Sequence, residues 1–436
     1  MDTAKTVSVR AVIDEANNRV LFVEAGHDFV DILFSFLTMP MGEIIRVLQS
    51  RKPPKMGIGC MDNIYRSVKN LDLKHFRSET CKTMLLQPRN GAFVHCSRLK
   101  LKLDSGESSK RFEGYKLLSY YRNVTCLCGL RMDCEFSPGV KKDSDSGDCG
   151  CGGVFVKGLM TSFVVSDQLE VLNMLGFSLV SKTVLAHTLL QLKITNPPEA
   201  CTRRADYSDQ GGSINHRRQH QEPHLQQKHE LPQRDGTNIC VALVISKSKQ
   251  MVCYAEVGED FVNMLFSFLT VPLGHILKEM GSSGGTVSLS EGLCIGYLHK
   301  SVQDIDPDTM TSNVVKDKLL SPGLPIGFGY EKQLLGVEEV EQKYHYRRRR
   351  YCCYGKGKPT NESTQTTVLT IRDPKSPNGK EDPVQGGGFL KGPAMFTITD
   401  NLNITPISPV STLSIMKKLN VHFEDVEKLR VYIGKK

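Results

Sequence analysis

The sequence is written twice. Residues 24–42 read EAGHDFVDILFSFLTMPMG and residues 256–274 read EVGEDFVNMLFSFLTVPLG, identical at 13 of 19 positions. Downstream, Ser67, Val68, Asp72, Leu86 and Pro88 return as Ser301, Val302, Asp306, Leu320 and Pro322. Gly152, Gly153, Phe155, Lys157 and Gly158 return as Gly386, Gly387, Phe389, Lys391 and Gly392, and the offset stays between 232 and 234 residues. Self-similarity at a fixed period constrains a fold more than composition does, because each repeat is one block whose apolar face needs a neighbour. A chain of 436 residues has room for two ordinary domains. We divide it into a first repeat at 1–200, a linker at 201–237 and a second repeat at 238–436. The middle tract is Arg, Gln, His, Asp and Gly with almost no apolar side chains. It cannot bury enough surface to offset its ordering entropy, and it reads as a flexible linker. His216, His220, His224 and His229 recur within it, where solvation outweighs a metal-binding reading.

Both copies open alike. Val7, Val9, Ala11 and Ile13 alternate, Asn17 and Asn18 supply a turn, and 20–23 return, which predicts a β-hairpin. Its second version runs through Ile239, Val241, Leu243 and Ile245, turns at 247–250 and returns through 252–254. A helix follows from about residue 28 to 38, with Asp28 placed to cap it, Gly26 expected at a φ other residues resist, and Pro40 ending or kinking it. A further helix covers 61–70, and 154–171 and 389–404 alternate like strands. Hairpin, helices and later strands give the α+β class. Phe29, Leu33, Phe34 and Phe36 recur as Phe261, Leu265, Phe266 and Phe268. Such a stripe is core or repeat-to-repeat interface, and two exposed faces would bury each other as a pseudo-dimer within the chain. The first copy passes from Val171 almost directly to Ser181, whereas the second keeps a 406–426 segment and has no counterpart of the Ser181 helix. The copies are therefore expected to complete each other's core.

Lys and Arg exceed Asp and Glu by 56 to 47, a mild excess over this length that is not the footprint of a dedicated nucleic-acid binder. With 39% hydrophobic residues the chain is of globular composition. No secretory signal is visible at the N-terminus. The densest apolar stretch, 29–48, is interrupted by Asp31, Pro40, Glu43 and Arg46 and predicts no membrane span. We expect an intracellular protein, cytoplasmic or nuclear and not secreted, whose 14 cysteines stay reduced.

The repeated E-x-G-x-D-F-V-x-x-L-F-S-F-L-T-x-P-x-G block resembles the plant protein family catalogued as domain of unknown function 674. The Ser-Val segment ending in Asp72, the late F-V-K-G stretch and the segment from Ser181 to Leu185 support this. The resemblance spans nearly the whole chain outside the linker and implies a plant origin with the unit in tandem. It supplies no activity, substrate or catalytic residue.

Three groups of residues carry candidate chemistry. Cys126 and Cys128, with Cys149 and Cys151, form two close pairs that could present four thiolates to a structural zinc, with Cys134 as a substitute. The family's paired Cys-x-x-Cys supports this, but each pair here has one intervening residue, and the second copy offers only Cys352 and Cys353. Free thiols in a polar loop are the alternative. Glu24 with Asp28, and Glu256 with Asp260, could serve as an acid–base pair, against a purely structural role at the strand end and helix start. His27 is Glu259 in the other copy, so no shared histidine supports catalysis. Arg347 to Arg350 lie among Tyr344, Tyr346, Tyr351 and Tyr354, which suits single-stranded nucleic acid, a nuclear import signal or a solvated basic loop. No phosphate-binding loop, nucleophile elbow or H-E-x-x-H is present. The expected function is a non-enzymatic interaction or regulatory module with a protein partner. A zinc-containing nucleic-acid adaptor and an enzyme using the repeated carboxylates are the alternatives.

Overall fold

The computed structural model describes residues 9–14, 19–50, 57–94, 117–119, 121, 124, 175, 178, 179, 239–282, 294–306, 309, 310, 313–340, 344–347, 366–371, 373–375 and 387–433. In the first copy, β1 (Val9–Asp14) pairs antiparallel with β2 (Arg19–Ala25), and the register shifts between Val12 and Ile13. Helices α1 (His27–Thr38), α2 (Met41–Gln49), α3 (Cys60–Asn70) and α4 (Glu79–Leu86) follow. A two-residue strand, β3 (Leu117–Leu118), closes the described part of this copy's secondary structure up to residue 118.

In the second copy, β4 (Ile239–Ser246) pairs antiparallel with β5 (Met251–Gly258), again with a register shift, between Val244 and Ile245. Helix α5 (Glu259–Ser267) tightens into a 3₁₀ turn at Phe268–Thr270, and α6 (Leu273–Ser282), α7 (Cys294–Asp304) and α8 (Asn313–Leu320) succeed it. Then come β6 (Tyr344–Arg347), β7 (Thr366–Ile371), β8 (Met395–Ile398), β9 (Ile404–Pro406), α9 (Pro409–Lys418) and β10 (Val426–Ile433). The second hairpin lies inside an antiparallel sheet of order β10-β4-β5-β8-β9. One face of that sheet packs on α5, and α9 packs on the other through Met416 against Val244, Cys253 and Tyr254. A smaller sheet joins the copies: β3 runs parallel to β7, which pairs antiparallel with β6.

Pro40 ends α1, and it also opens a helix the sequence reading missed. With φ fixed near −66° it stands as the N-cap of α2 in an extended conformation. Asp28 does not cap α1. The helix begins one residue earlier, so Gly26 is the N-cap and Asp28 falls inside the first turn, where it complements the dipole. Asp260 stands likewise behind Gly258. Both glycines have ordinary φ, −77° and −79°, so the expectation of an unusual backbone at this point is corrected as well.

The helices are exchanged between the copies. Ile32, Phe34, Phe36 and Leu37 of α1 share a buried cluster with Leu273, Leu277, Ile295, Val302 and Leu319 of α6, α7 and α8. Reciprocally, Val262, Leu265 and Phe266 of α5 share one with Ile45, Ile64, Val68, Met84 and Leu85 of α2, α3 and α4. Phe34 and Phe266, equivalent residues, are 7% and 0% exposed. Each copy's first helix thus fills the other's core. A fully buried phenylalanine or leucine contributes about 1.5–3 kcal/mol, so the exchanged stripes are a large share of what holds the halves together.

The crossing point is a short antiparallel bridge between Pro40 and Pro272. Met41 N–H donates to Val271 O at 3.1 Å, and Leu273 N–H donates to Met39 O at 2.9 Å. Proline fits here because the opposed pair at the centre exchanges no hydrogen bond, so neither missing N–H is needed. The residue two positions on must be glycine. A Cβ on Gly42 would lie 2.8 Å from Leu85 O and 3.0 Å from Leu269 O, and one on Gly274 2.5 Å from Leu319 O and 3.0 Å from Leu37 O. The repeated T-x-P-x-G motif is therefore the seam, and its two copies meet at their prolines.

Candidate functional site

The repeated carboxylates are turned to separate partners. Glu256 accepts from Lys428 Nζ at 2.9 Å across the sheet. Asp260 accepts from Lys332 Nζ at 2.5 Å and from the Tyr330 hydroxyl at 3.3 Å, and that hydroxyl also lies 3.2 Å from the Asp260 carbonyl. Burial, and then the adjacent carboxylate, push the Tyr330 phenol far above its ordinary range, which makes it a donor and not a base or nucleophile. In the first copy Asp28 pairs with exposed His27 at 3.0 Å. Glu259, which stands where the first copy has His27, accepts from Ala394 N–H at 3.1 Å. Asp28 and Asp260 thus meet different neighbours, and the acids of copy two do not converge.

The hydroxyls shared by the repeated block turn back onto their own helical segments. Ser35 Oγ donates to Asp31 O and Ser267 Oγ to Met264 O, both at 2.7 Å; Thr38 and Thr270 donate to Ser35 O and Ser267 O at 2.9 and 2.7 Å. Three of these carbonyls, of Ser35, Met264 and Ser267, lie in the last turn of a helix and gain a donor there, while Asp31 O lies inside α1.

The most buried charged constellation spans the copies, and sequence reasoning missed it. Lys375 is fully buried, its ammonium held by Gly327 O and by both oxygens of Asp373, at 2.9 and 3.0 Å. It lies 5.5 Å from the centre of the Phe389 ring, within cation–π range. From the first copy, Arg77 donates to Leu390 O at 3.1 Å and Lys375 O at 3.3 Å. The Cys81 thiol lies 3.6 Å from Pro374 O and accepts from Ser78 Oγ at 3.2 Å. Burial raises the Cys81 thiol above its ordinary value, so it stays protonated and unreactive. Three oxygen acceptors satisfy the ammonium, leaving it no proton to offer a substrate. The cluster is a latch. Nothing in the run around Asp373 and Lys375 distinguishes it from a surface loop, because the acceptor at Gly327 and the ring of Phe389 are distant in sequence.

Cys126, Cys128, Cys134, Cys149 and Cys151 lie outside the described residues, as do Cys352, Cys353, Arg348 to Arg350 and the 201–237 tract. Among the described residues no group of three His, Cys, Asp or Glu is gathered around a common point. No described helix is long and apolar enough to cross a membrane.

Compared with known proteins, the chain matches the family described as "Protein of unknown function (DUF674)" twice, over residues 3–173 and 168–436. The second match reaches back across the polar tract to residue 168. No curated protein and no solved structure matches the chain.

Proposed function

For a chain that belongs to the DUF674 family and carries the family unit in tandem, we propose a non-enzymatic role as an interaction or regulatory module. In this reading a 1–200 unit and a 238–436 unit, each a hairpin followed by helices and strands, flank a flexible 201–237 linker. The protein works inside the plant cell, in cytoplasm or nucleus, and has a protein partner. One observation carries the proposal: Asp28 meets His27 where its counterpart Asp260 meets Lys332 and Tyr330, and the shared hydroxyls of Ser35, Thr38, Ser267 and Thr270 bond to carbonyls of their own helical segments. Glu256 and Asp260 are engaged by two different lysines, which removes support from the enzyme alternative. A catalytic constellation needs its groups within hydrogen-bond reach of one reacting atom.

The second reading is a zinc-containing nucleic-acid adaptor. It draws on the cysteine cluster, where Cys126, Cys128, Cys149 and Cys151 would hold a structural zinc, and on the Arg347 to Arg350 run. Affinity capture of the full chain from plant tissue, with and without ribonuclease, separates the two. A protein recovered in both arms, and recovering this chain in the reverse capture, supports the module. RNA without a protein partner would replace it with the adaptor.

A further inference from the structure

We infer that two copies of this chain can pair by exchanging halves, the first repeat of one closing on the second repeat of the other. This deepens the interaction-module reading by naming a partner, a second copy of this chain. The seam is self-complementary: Leu37, Pro40, Gly42, Leu85 and Pro88 of one side are Leu269, Pro272, Gly274, Leu319 and Pro322 of the other. Around each seam glycine the contacts are reciprocal. Gly42 faces Leu85 O, Leu269 O and Pro88, and Gly274 faces Leu319 O, Leu37 O and Pro322. An interface of this kind is pseudo-isologous, and in an exchanged pair it would form twice, each first repeat meeting the other chain's second repeat.

The contacts that select a first repeat for a second one also survive the exchange. Arg77 N–H donates to Phe389 O at 3.0 Å, Lys391 N–H to His75 O at 2.8 Å, and Ile404 N–H to Ser67 Oγ at 2.9 Å. None of them depends on both repeats belonging to one polypeptide. Only the tether favours the closed monomer. With 201–237 read as the linker proposed above, the tether supplies an effective concentration on the order of millimolar, so dilute chains close on themselves and concentrated chains refolding together close on each other. Once formed, either state is held by the same buried helices, and interconversion requires both cores to open.

The test uses full-length chains. Heavy-isotope and light chains are unfolded, mixed and refolded at about 2 and about 200 µM, a range chosen below and toward the tether's effective concentration. Native mass spectrometry then reads the dimers. We expect almost none at the low concentration and at least a tenfold larger fraction at the high one, with heavy–light species at the statistical share. To locate the contact, one chain carries Pro40→Cys and the other Pro272→Cys. Opposed residues of an antiparallel bridge lie within disulfide reach, so oxidation should link unlike chains through a peptide joining 40 to 272. A monomer at both concentrations overturns the exchange, whatever the affinity capture returns, and so does a dimer whose linked peptides avoid 40 and 272. Should the cysteine variants fail to fold, the isotope experiment on the unaltered chain decides alone.

Discussion

Helices α2–α4 of the first copy and α6–α8 of the second occupy equivalent places, yet their buried polar groups differ. Glu43, in the first turn of α2, is almost fully buried and grips Arg46 with both oxygens, at 2.7 and 2.5 Å. Its counterpart is His275, whose Nε2 meets Leu335 O at 3.2 Å while Nδ1 faces Ser321 Oγ at 3.3 Å. Tyr65 donates its hydroxyl to Leu86 O at 3.0 Å, and its counterpart His299 uses Nε2 toward the equivalent Leu320 O at 3.2 Å. Burial pushes the Tyr65 phenol up to about 12 and holds the His299 imidazole below its usual value. A carbonyl at the end of a buried helix needs a donor, and a phenol or an imidazole will serve. The apolar frame was kept in both copies while the polar inserts diverged, as expected where packing and not shared chemistry is under constraint.

Four experiments would break or sharpen that comparison. The largest expected asymmetry is metal. Copy one is proposed to hold zinc through Cys126, Cys128, Cys149 and Cys151, with copy two holding none, and structural zinc sites contribute on the order of 10 kcal/mol. Elemental analysis should give one zinc per chain, lost on replacing Cys149 and Cys151 by serine; a zinc content near zero in the unaltered chain removes the site.

Next in size is the latch. Lys375→Ala leaves Asp373 and Gly327 O without their cation, and breaking a buried pair from one side costs about 3–5 kcal/mol. Denaturant unfolding should show it in the midpoint, and a loss under 1 kcal/mol would mean that Lys375 is solvated in solution.

The seam comes third. Gly42→Ala and Gly274→Ala each drive a Cβ into backbone carbonyls from both copies, and overpacking of this kind costs about 1–3 kcal/mol. Gly274→Ala should be the worse, since its nearest carbonyl is at 2.5 Å against 2.8 Å for Gly42. Equal tolerance of both would show that the bridge relaxes without loss.

The smallest effect is in pH. The folded state holds His299 below the ordinary 6.5, so the unfolded chain binds the proton more readily. The contribution of His299 is complete above pH 6.5 and is lost as pH falls from there through its folded pKa. His299→Tyr, which installs the first copy's residue, should flatten that decline in thermal unfolding between pH 7 and 5 while keeping the bond to Leu320 O. An unchanged slope would assign the pH dependence to other groups.

Much of the local structure was legible because it is decided by neighbours in sequence. The alternation of 239–245 and of 252–254 around a polar turn specified the hairpin, and the apolar stripe from Phe29 to Phe36 specified a helix. The failures were local as well. Asp28 reads as a cap because Asp is a good one, but the chain turns at Gly26, and an N-cap must sit at the turn itself. Helix α2 was missed because Pro40 reads as an ending, although proline is equally suited to open a helix.

The sequence by itself determined that two related α+β units exist, where their hairpins and first helices run, and that their apolar faces need covering. It could not determine what covers them. The stripes of α1 and α5 are nearly the same, so either would satisfy the core of its own copy or of the other by composition alone. The tertiary structure decided for exchange through the Pro40–Pro272 bridge, where two glycines let backbones approach, and through contacts such as Arg77 with Leu390 that have no local signature. The burial of Lys375 was decided in the same way. An ammonium can leave water only where carboxylate and carbonyl oxygens are already in place, and folding alone brings Gly327, Asp373 and Phe389 to one point.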